Sequence, residues 1–243
     1  MSDRVAVITG GGSGIGAATA RLLVERGERV VLVGRGEDRL RTMQAELGDD
    51  VAEVLAIDVN ADEAPAAVVS AAMSRWGRID TLVNNAGTYR HGEVVDMPML
   101  DFDETFLVNV RAPYALTREA VPALKPGSSI VFVGSNLTRV GKPGAAAYSA
   151  SKAAVESLTK TLAVELGSAG VRVNAVSPGL TRTDMTTSSF GDSDRYRTAL
   201  AQSPTGYLGD PQDIAHVIAF LSSDAARYVN GTAVVIDGGR ILL

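Results

Sequence analysis

The chain has 243 residues, a formal charge of −5 and no cysteine, with 46% hydrophobic and 21% charged residues. That length suits one large α/β unit with a buried core, and the acidic balance without a Lys/Arg cluster argues against a nucleic-acid surface. The absence of cysteine excludes disulfides and thiolate metal sites, and the two histidines, His91 and His216, lack ligand spacing, so no metal site is expected.

Short β-rich runs alternate with helical patterns. "VAVIT" (5–9) precedes a helical run at 16–27, and "RVVLVG" (29–34) precedes one at 37–48. "AEVLAID" (52–58) leads to a helix ending at Trp76, and "IDTLVNNAG" (79–87) to a helical stretch around 101–124. "SIVFVGS" (129–135) precedes a helix around 146–167. "VRVNAVSPG" (171–179) precedes one around 211–222, and "TAVVID" (232–237) is the last strand. Seven near-continuously apolar strands read as buried parallel strands covered on both faces. Their alternation with helices predicts a doubly wound, Rossmann-like α/β sheet. No linker or repeat divides the chain, so residues 1–243 are expected to form one domain. The polar, weakly periodic segment 181–209 is long for a connection and reads as a substrate lid. No signal-peptide core opens the sequence and no apolar run spans a membrane, so a soluble cytoplasmic protein is expected.

"TGGGSGIG" (9–16) lies between the first strand and the first helix. Glycines there allow a tight turn and close approach of backbone N–H groups to a pyrophosphate at the helix N-terminus. A nucleoside-triphosphate loop is excluded, because Ala17 and Ala18 follow Gly16 where Lys and Ser/Thr are required. Further on, "YSASK" puts Tyr148 and Lys152 one helical turn apart on a shared face. An ammonium beside a phenol favours the phenolate, so the pair predicts a tyrosine of lowered pKa suited to acid–base work. Ser135 ends the fifth strand, the side of an open α/β sheet where ligands bind.

These ordered motifs resemble those of the short-chain dehydrogenases/reductases over nearly the whole chain. "TGGGSGIG" is similar to the family's cofactor loop, "NNAG" (84–87) to its strand-end motif, "YSASK" to its Tyr-x-x-x-Lys and "SPG" (177–179) to the turn beside the nicotinamide. Ser135 precedes Tyr148 by the usual 13 residues, and Asn109 stands where the family's helix-borne active-site Asn is expected. The resemblance implies a catalytic set of Asn109, Ser135, Tyr148 and Lys152. Tyr148 exchanges a proton with a carbonyl or alcohol oxygen, Ser135 hydrogen-bonds that oxygen, Lys152 also holds the nicotinamide ribose, and Asn109 anchors a proton-relaying water. It further implies a dinucleotide site of Gly10, Gly12, Ser13, Gly14, Ile15, Gly16, Asp58, Val59, Asn85, Ala86, Gly87, Tyr148, Lys152, Pro178, Gly179 and Thr181, with Thr183 as a helper.

At the tip of the second strand Gly34 occupies the place of the ribose-binding acid that signals NAD, and Arg35 follows. With no carboxylate to repel a 2′-phosphate and an arginine to grip one, NADP(H) is expected ahead of NAD(H), with Arg39 as a possible assistant. Substrate walls are expected from 88–95, 136–146 and 181–209, with Tyr89, Arg90, His91, Leu137, Arg139, Met185, Phe190 and Tyr196 as candidates. This mixture leaves the small-molecule carbonyl or alcohol open. Reductases of acyl-carrier-protein substrates are one subgroup, but beyond Lys125 the expected basic docking patch is thin. "PTGYLGDP" departs from the family's Pro-x-Gly-Arg-x-Gly, and Gly134 replaces a frequent serine. A homotetramer is implied by the resemblance. A catalytically silent NADP(H)-binding regulator remains the alternative, since fold does not fix function. An epimerase or dehydratase would be expected to carry a longer C-terminal substrate portion.

Overall fold

In each central strand, successive side chains fall alternately into two separate cores. Val5, Val7, Val31, Val33, Ile130 and Phe132 enter one, while Ala6, Ile8, Val30, Leu32, Val131 and Val133 enter the other. Period-two alternation with apolar residues on both faces needs helical layers above and below the sheet. The computed structural model describes residues 3–187 and 193–243 and has that architecture.

Its strands are β1 Val5–Thr9, β2 Arg29–Gly34, β3 Ala52–Ala56, β4 Ile79–Asn84, β5 Leu124–Val133, β6 Arg172–Pro178 and β7 Ala233–Ile236. They form one sheet in the order β3-β2-β1-β4-β5-β6-β7, parallel at every pairing. The helices are α1 Gly14–Glu25, α2 Glu37–Leu47, α3 Ala64–Trp76, α4 Met99–Phe106, α5 Ala112–Ala120, α6 Ala146–Gly167, α7 Ser193–Ala201 and α8 Pro211–Ser222. Residues of α3, α5 and α6 line the first core; those of α1, α2 and α8 line the second.

The strand order reverses between β1 and β4, which opens a crevice at the strands' C-terminal ends. Every motif singled out above lies along that edge. The expected elements are all present, with shifted ends. α1 begins at Gly14, two residues before its expected start, because the glycine loop itself forms the first turn. β5 begins at Leu124, where the sequence suggested helix. The helical stretch before it is interrupted by a π turn over Leu107–Arg111 that joins α4 to α5. The 181–209 segment is not a plain loop. It holds a 3₁₀ turn at Asp184–Thr186 and the helix α7. Phe190, a candidate wall residue, lies outside the described residues.

Candidate active site

The crevice comprises two cavities, of about 520 Å³ and about 230 Å³, that share Gly10, Ser13, Ala86 and Gly87 in their walls. Backbone builds their common floor. Gly10 has a φ of 67°, and a Cβ on Gly16 would lie 2.2 Å from the Gly10 carbonyl oxygen, so the loop folds back on the first turn of α1 only without those side chains. Asn85 ties this loop to the end of β4, its Nδ2 donating to the carbonyls of Thr9 at 2.9 Å and Gly10 at 3.3 Å. The hydroxyl of Thr9 accepts from the backbone N–H groups of Asn85 and Ala86, each at 3.0 Å. Ser13 is the N-cap of α1 and makes no side-chain capping bond. The first-turn N–H groups, Gly14 and Ile15 included, have no earlier helical carbonyl to bind, which suits a phosphate. Gly16 is buried behind the loop and serves the close approach rather than lining either cavity.

The larger cavity is lined by Gly12, Gly34, Arg35, Arg39, Asp58 and Val59 among others. Arg35 reaches Asp58 at 3.9 Å with its side chain 77% exposed, so this is a loose contact that a ligand can rearrange. Asp58 also accepts from the Asn60 N–H at 3.0 Å. Arg39 pairs with Asp184, which lies across the crevice in the turn after β6. Arg90, expected as a substrate wall, instead lines this cavity and pairs with Glu104 at 2.9 Å.

The smaller cavity brings together Ser135, Tyr148, Lys152, Asn85, Gly87, Pro178, Gly179, Thr181 and Met185. Asn109 lies directly behind it. A Cβ on Gly87 would meet Asn109 Oδ1 at 3.2 Å and Lys152 Nζ at 3.4 Å. The π turn presents Asn109 inward, where it is 1% exposed. Its Oδ1 accepts from Thr88 N at 2.8 Å, and its Nδ2 donates to Thr88 O at 2.9 Å and Ser151 Oγ at 3.0 Å. Ser135 is 6% exposed and stands two residues past β5; its hydroxyl accepts from Leu137 N at 3.2 Å. Tyr148 and Lys152 share one face of α6, with Nζ 5.7 Å from the phenol ring centroid.

One expectation is corrected here. The Tyr148 phenol is not acidified; it is pushed up to about 12, first by desolvation, against which the nearby Ser135 hydroxyl acts, with Tyr89 adding to the rise. Lys152 is 4% exposed, and burial lowers it from 10.5 to about 8. Its Nζ donates to the Val133 carbonyl at 2.7 Å rather than to the phenol. Burial disfavours both charged forms, so the phenol keeps its proton at neutral pH.

A third cavity, about 670 Å³, opens beside Ser135 and Tyr148 and is lined by Leu137, Arg139, Lys142, Glu93 and Ser149, among others. Tyr89 packs edge-on against Tyr148 with ring centroids 5.0 Å apart, and Lys142 caps Tyr89 at 5.3 Å. His91 packs on Gly144, where a Cβ would come within 2.3 Å of its Nε2, so it supports a loop rather than facing a ligand. Tyr196 is half-buried on α7. Sequence reasoning missed Glu156 and Asp237, which buttress the Ser135 corner, and the supporting bonds of Thr138 and Ser177, which lie inside the expected 136–146 wall and the SPG motif. Glu156 carried a signal, four residues beyond Lys152 on the same helix face. No helix among the described residues is long and apolar enough to cross a membrane. Among those residues no cluster suits a metal ion.

A sheet reversing at β1/β4, a glycine-lined crevice there and a Tyr/Lys pair at one end define a dinucleotide-dependent oxidoreductase fold. A family model described as enoyl-(acyl carrier protein) reductase matches residues 10–240, and the chain belongs to the short-chain dehydrogenases/reductases. It is 37% identical to the 3-oxoacyl-[acyl-carrier-protein] reductase of Vibrio cholerae, across 100% of this chain and 99% of that one. It is 35% identical to the 7alpha-hydroxysteroid dehydrogenase of Bacteroides fragilis, covering 98% of this chain and 95% of that one. Among solved structures, the 3-ketoacyl-(acyl-carrier-protein) reductase of Brucella melitensis complexed with NADH superposes with a TM-score of 0.90 at 35% identity, covering 98% of each chain. The chain is thus an oxidoreductase that transfers hydride between a nicotinamide cofactor and a carbonyl or secondary alcohol; nothing in these likenesses favours a silent regulator.

Proposed function

We propose that the chain is an NADP(H)-dependent carbonyl reductase or alcohol dehydrogenase, built as one catalytic domain over residues 1–243. The observation that carries this reading is the meeting of Ser135, Tyr148 and Lys152 in one small cavity, with Asn109 behind it and the glycine floor beside it. When bound, the nicotinamide supplies or accepts the hydride. Gly10, Gly12, Ser13, Gly14 and Ile15 hold the pyrophosphate, and Asp58 and Val59 hold the adenine. Asn85, Ala86, Gly87, Pro178, Gly179 and Thr181 frame the nicotinamide end. The Gly34 tip leaves room for a 2′-phosphate, and Arg35, loosely held by Asp58, is free to grip it.

In the reducing direction Tyr148 gives its proton to the carbonyl oxygen, and Ser135 hydrogen-bonds the same oxygen. At neutral pH the phenol carries the proton that this step consumes, and a positive charge beside it is needed to ease its release. Lys152, pinned by the Val133 carbonyl, binds the nicotinamide ribose and supplies positive charge as the phenolate forms. Asn109 fixes the strand-end backbone at Thr88 from behind the cavity and would anchor a proton-relaying water there. The turn at 181–187 covers the crevice from the far side as the described part of a substrate lid. The substrate is a small carbonyl or alcohol that enters past Leu137, Arg139 and Lys142. The protein works as a cytoplasmic homotetramer; light scattering that gives a concentration-independent monomer would refute that assembly.

Titration with NADPH and NADH, read by nicotinamide fluorescence, followed by ketones, diketones and β-ketoacyl thioesters in an absorbance assay, tests the reading. Preferential NADPH binding with turnover of one carbonyl class supports it. Binding without turnover across the panel would overturn it.

A further inference from the structure

One carboxylate outside the four catalytic candidates joins both walls of the small cavity. Glu156 lies on α6 one turn beyond Lys152, and its side chain is 14% exposed. Its Oε1 accepts from Thr138 Oγ1 at 2.8 Å and from Ser177 Oγ at 2.9 Å. Thr138 belongs to the corner that presents Ser135, since its hydroxyl also lies 3.0 Å from the Ser135 carbonyl oxygen. Ser177 immediately precedes Pro178 and Gly179 at the end of the neighbouring strand β6. Oε2 faces Arg139 at 3.9 Å, which offsets the buried charge.

Gly134 fits the same arrangement. A Cβ there would lie 3.1 Å from Ser177 Oγ and 3.2 Å from the Val176 carbonyl oxygen, so a side chain at 134 presses on the hydroxyl that Glu156 receives.

We propose that Glu156 is a positioning residue that fixes the spacing between the Ser135 corner and the Pro178–Gly179 turn. A single oxygen that receives two hydroxyls holds both donors relative to one another, and hydrogen bonds to a carboxylate are stronger than neutral ones. Without that oxygen the buried Ser177 hydroxyl loses its acceptor, the Thr138 hydroxyl keeps only the Ser135 carbonyl, and the side chains beyond the strand ladder lose their common anchor. The inference rests on the reductase reading above and adds a side-chain brace beyond the β5–β6 ladder, in which Gly134 N–H donating to the Val176 carbonyl at 2.7 Å sets the strand register.

The test compares Glu156→Leu, which removes the acceptor, with Glu156→Gln, which keeps a carbonyl oxygen in its place. Glu156→Leu is expected to lower kcat roughly 10–100-fold at saturating NADPH and ketone, the scale of a small misplacement of reacting groups. Glu156→Gln should stay within about threefold of the parent, because the lost charge assistance is the smaller part. In the Glu156→Leu background, Ser177→Ala should add no further loss. Loss of activity only in proportion to loss of folded protein, equal damage by Gln and Leu, or a full additional effect of Ser177→Ala would each overturn the proposal.

Emission from bound NADPH gives a readout independent of turnover. Glu156→Leu should dim or red-shift it with little change in the dissociation constant, and emission identical to the parent would overturn the proposal. A parent that binds NADPH but reduces no carbonyl sinks the reductase reading alone, and this fluorescence comparison still decides the role of Glu156.

Discussion

The two ends of the crevice are built on different principles. At the end proposed for the adenosine the charged side chains lie in water: Arg35 is 77% and Arg39 64% exposed along their side chains. At the end proposed for the nicotinamide the polar side chains come from three distant segments and are buried: Asn109, Ser135 and Lys152 are 1%, 6% and 4% exposed. Charges in water interact weakly and are screened, whereas buried polar groups are costly to leave unpaired. Substitutions at the first end should therefore change which dinucleotide binds, and those at the second should change chemistry and stability together.

The largest effect is expected at Tyr148. Tyr148→Phe removes the proton donor while keeping the ring that packs on Tyr89, so kcat should fall by about 1,000-fold, within the range for a lost general acid. NADPH affinity should hold within about threefold, since the hydroxyl makes at most one bond to the cofactor. Retained turnover would erase the chemical distinction between the two ends.

Lys152 sharpens the comparison through pH. Folding lowers its pKa from 10.5 to about 8, so the unfolded chain holds that proton more tightly. The resulting penalty is full below pH 8 and fades as pH rises through 10.5. Lys152→Met should thus abolish turnover yet stabilise the cofactor-free protein at pH 7 by on the order of 2 kcal/mol, after allowance for the lost bond to Val133. The gain should shrink as the pH of parallel denaturation curves approaches 10.5. A gain that does not change with pH would contradict a buried, destabilising ammonium.

Asn109→Ala should act in the opposite sense on stability. It leaves the Thr88 N–H and C=O and the Ser151 hydroxyl without this partner. A cost of about 2 kcal/mol is expected from the stranded buried groups, seen as a melting point lowered by roughly 4–8 °C for a chain of this size. An unchanged melting point would show that the π turn holds its shape without that side chain.

The contrast also explains what could be read from the amino-acid order. Features carried by one segment leave local marks. Apolar strands of uniform character predicted the sheet, and the glycines at 10, 12, 14 and 16 marked the loop that floors the crevice. The Tyr148–Lys152 pair was legible because one helix carries both. The pKa shift was not, because it depends on how deeply other segments bury α6, which the spacing of four residues does not encode. The π turn that aims Asn109 has no sequence mark comparable to a glycine or proline. The Glu156 brace links residues 138 and 177, which the pairing of β5 with β6 and the packing of α6 on the sheet bring together. The pairing of Arg90 with Glu104, fourteen residues further on, left no mark in the amino-acid order.

At the adenosine end, Arg35→Ala is expected to weaken NADPH binding about tenfold and leave NADH unchanged, the effect of one charge-assisted contact in a solvated place. Gly34→Asp should go further and invert the preference, because it restores a carboxylate for ribose hydroxyls and repels a 2′-phosphate. Dissociation constants for both cofactors, measured at two salt concentrations, check this; an NADPH affinity insensitive to Arg35 and to salt would remove the basis for the NADP(H) reading.

The smallest effect belongs to the Arg39–Asp184 pair, which crosses the crevice between α2 and the turn after β6. With side chains 64% and 66% exposed, the pair is solvated and screened. Asp184→Ala should change stability by less than about 0.5 kcal/mol. The turn itself is held separately, by the Thr183–Thr186 capping box and by Thr186 Oγ1 donating to the Thr181 carbonyl, so it should keep its shape without the ion pair. What the substitution should alter is competition for Arg39. A guanidinium released from Asp184 is available to a 2′-phosphate, so NADPH affinity should rise two- to threefold, less than 1 kcal/mol, with NADH unmoved. Equal gains for the two cofactors would mean that Asp184 acts on the shared pyrophosphate region, and the division between a cofactor-selecting end and a chemical end would have to be redrawn at the turn that touches both.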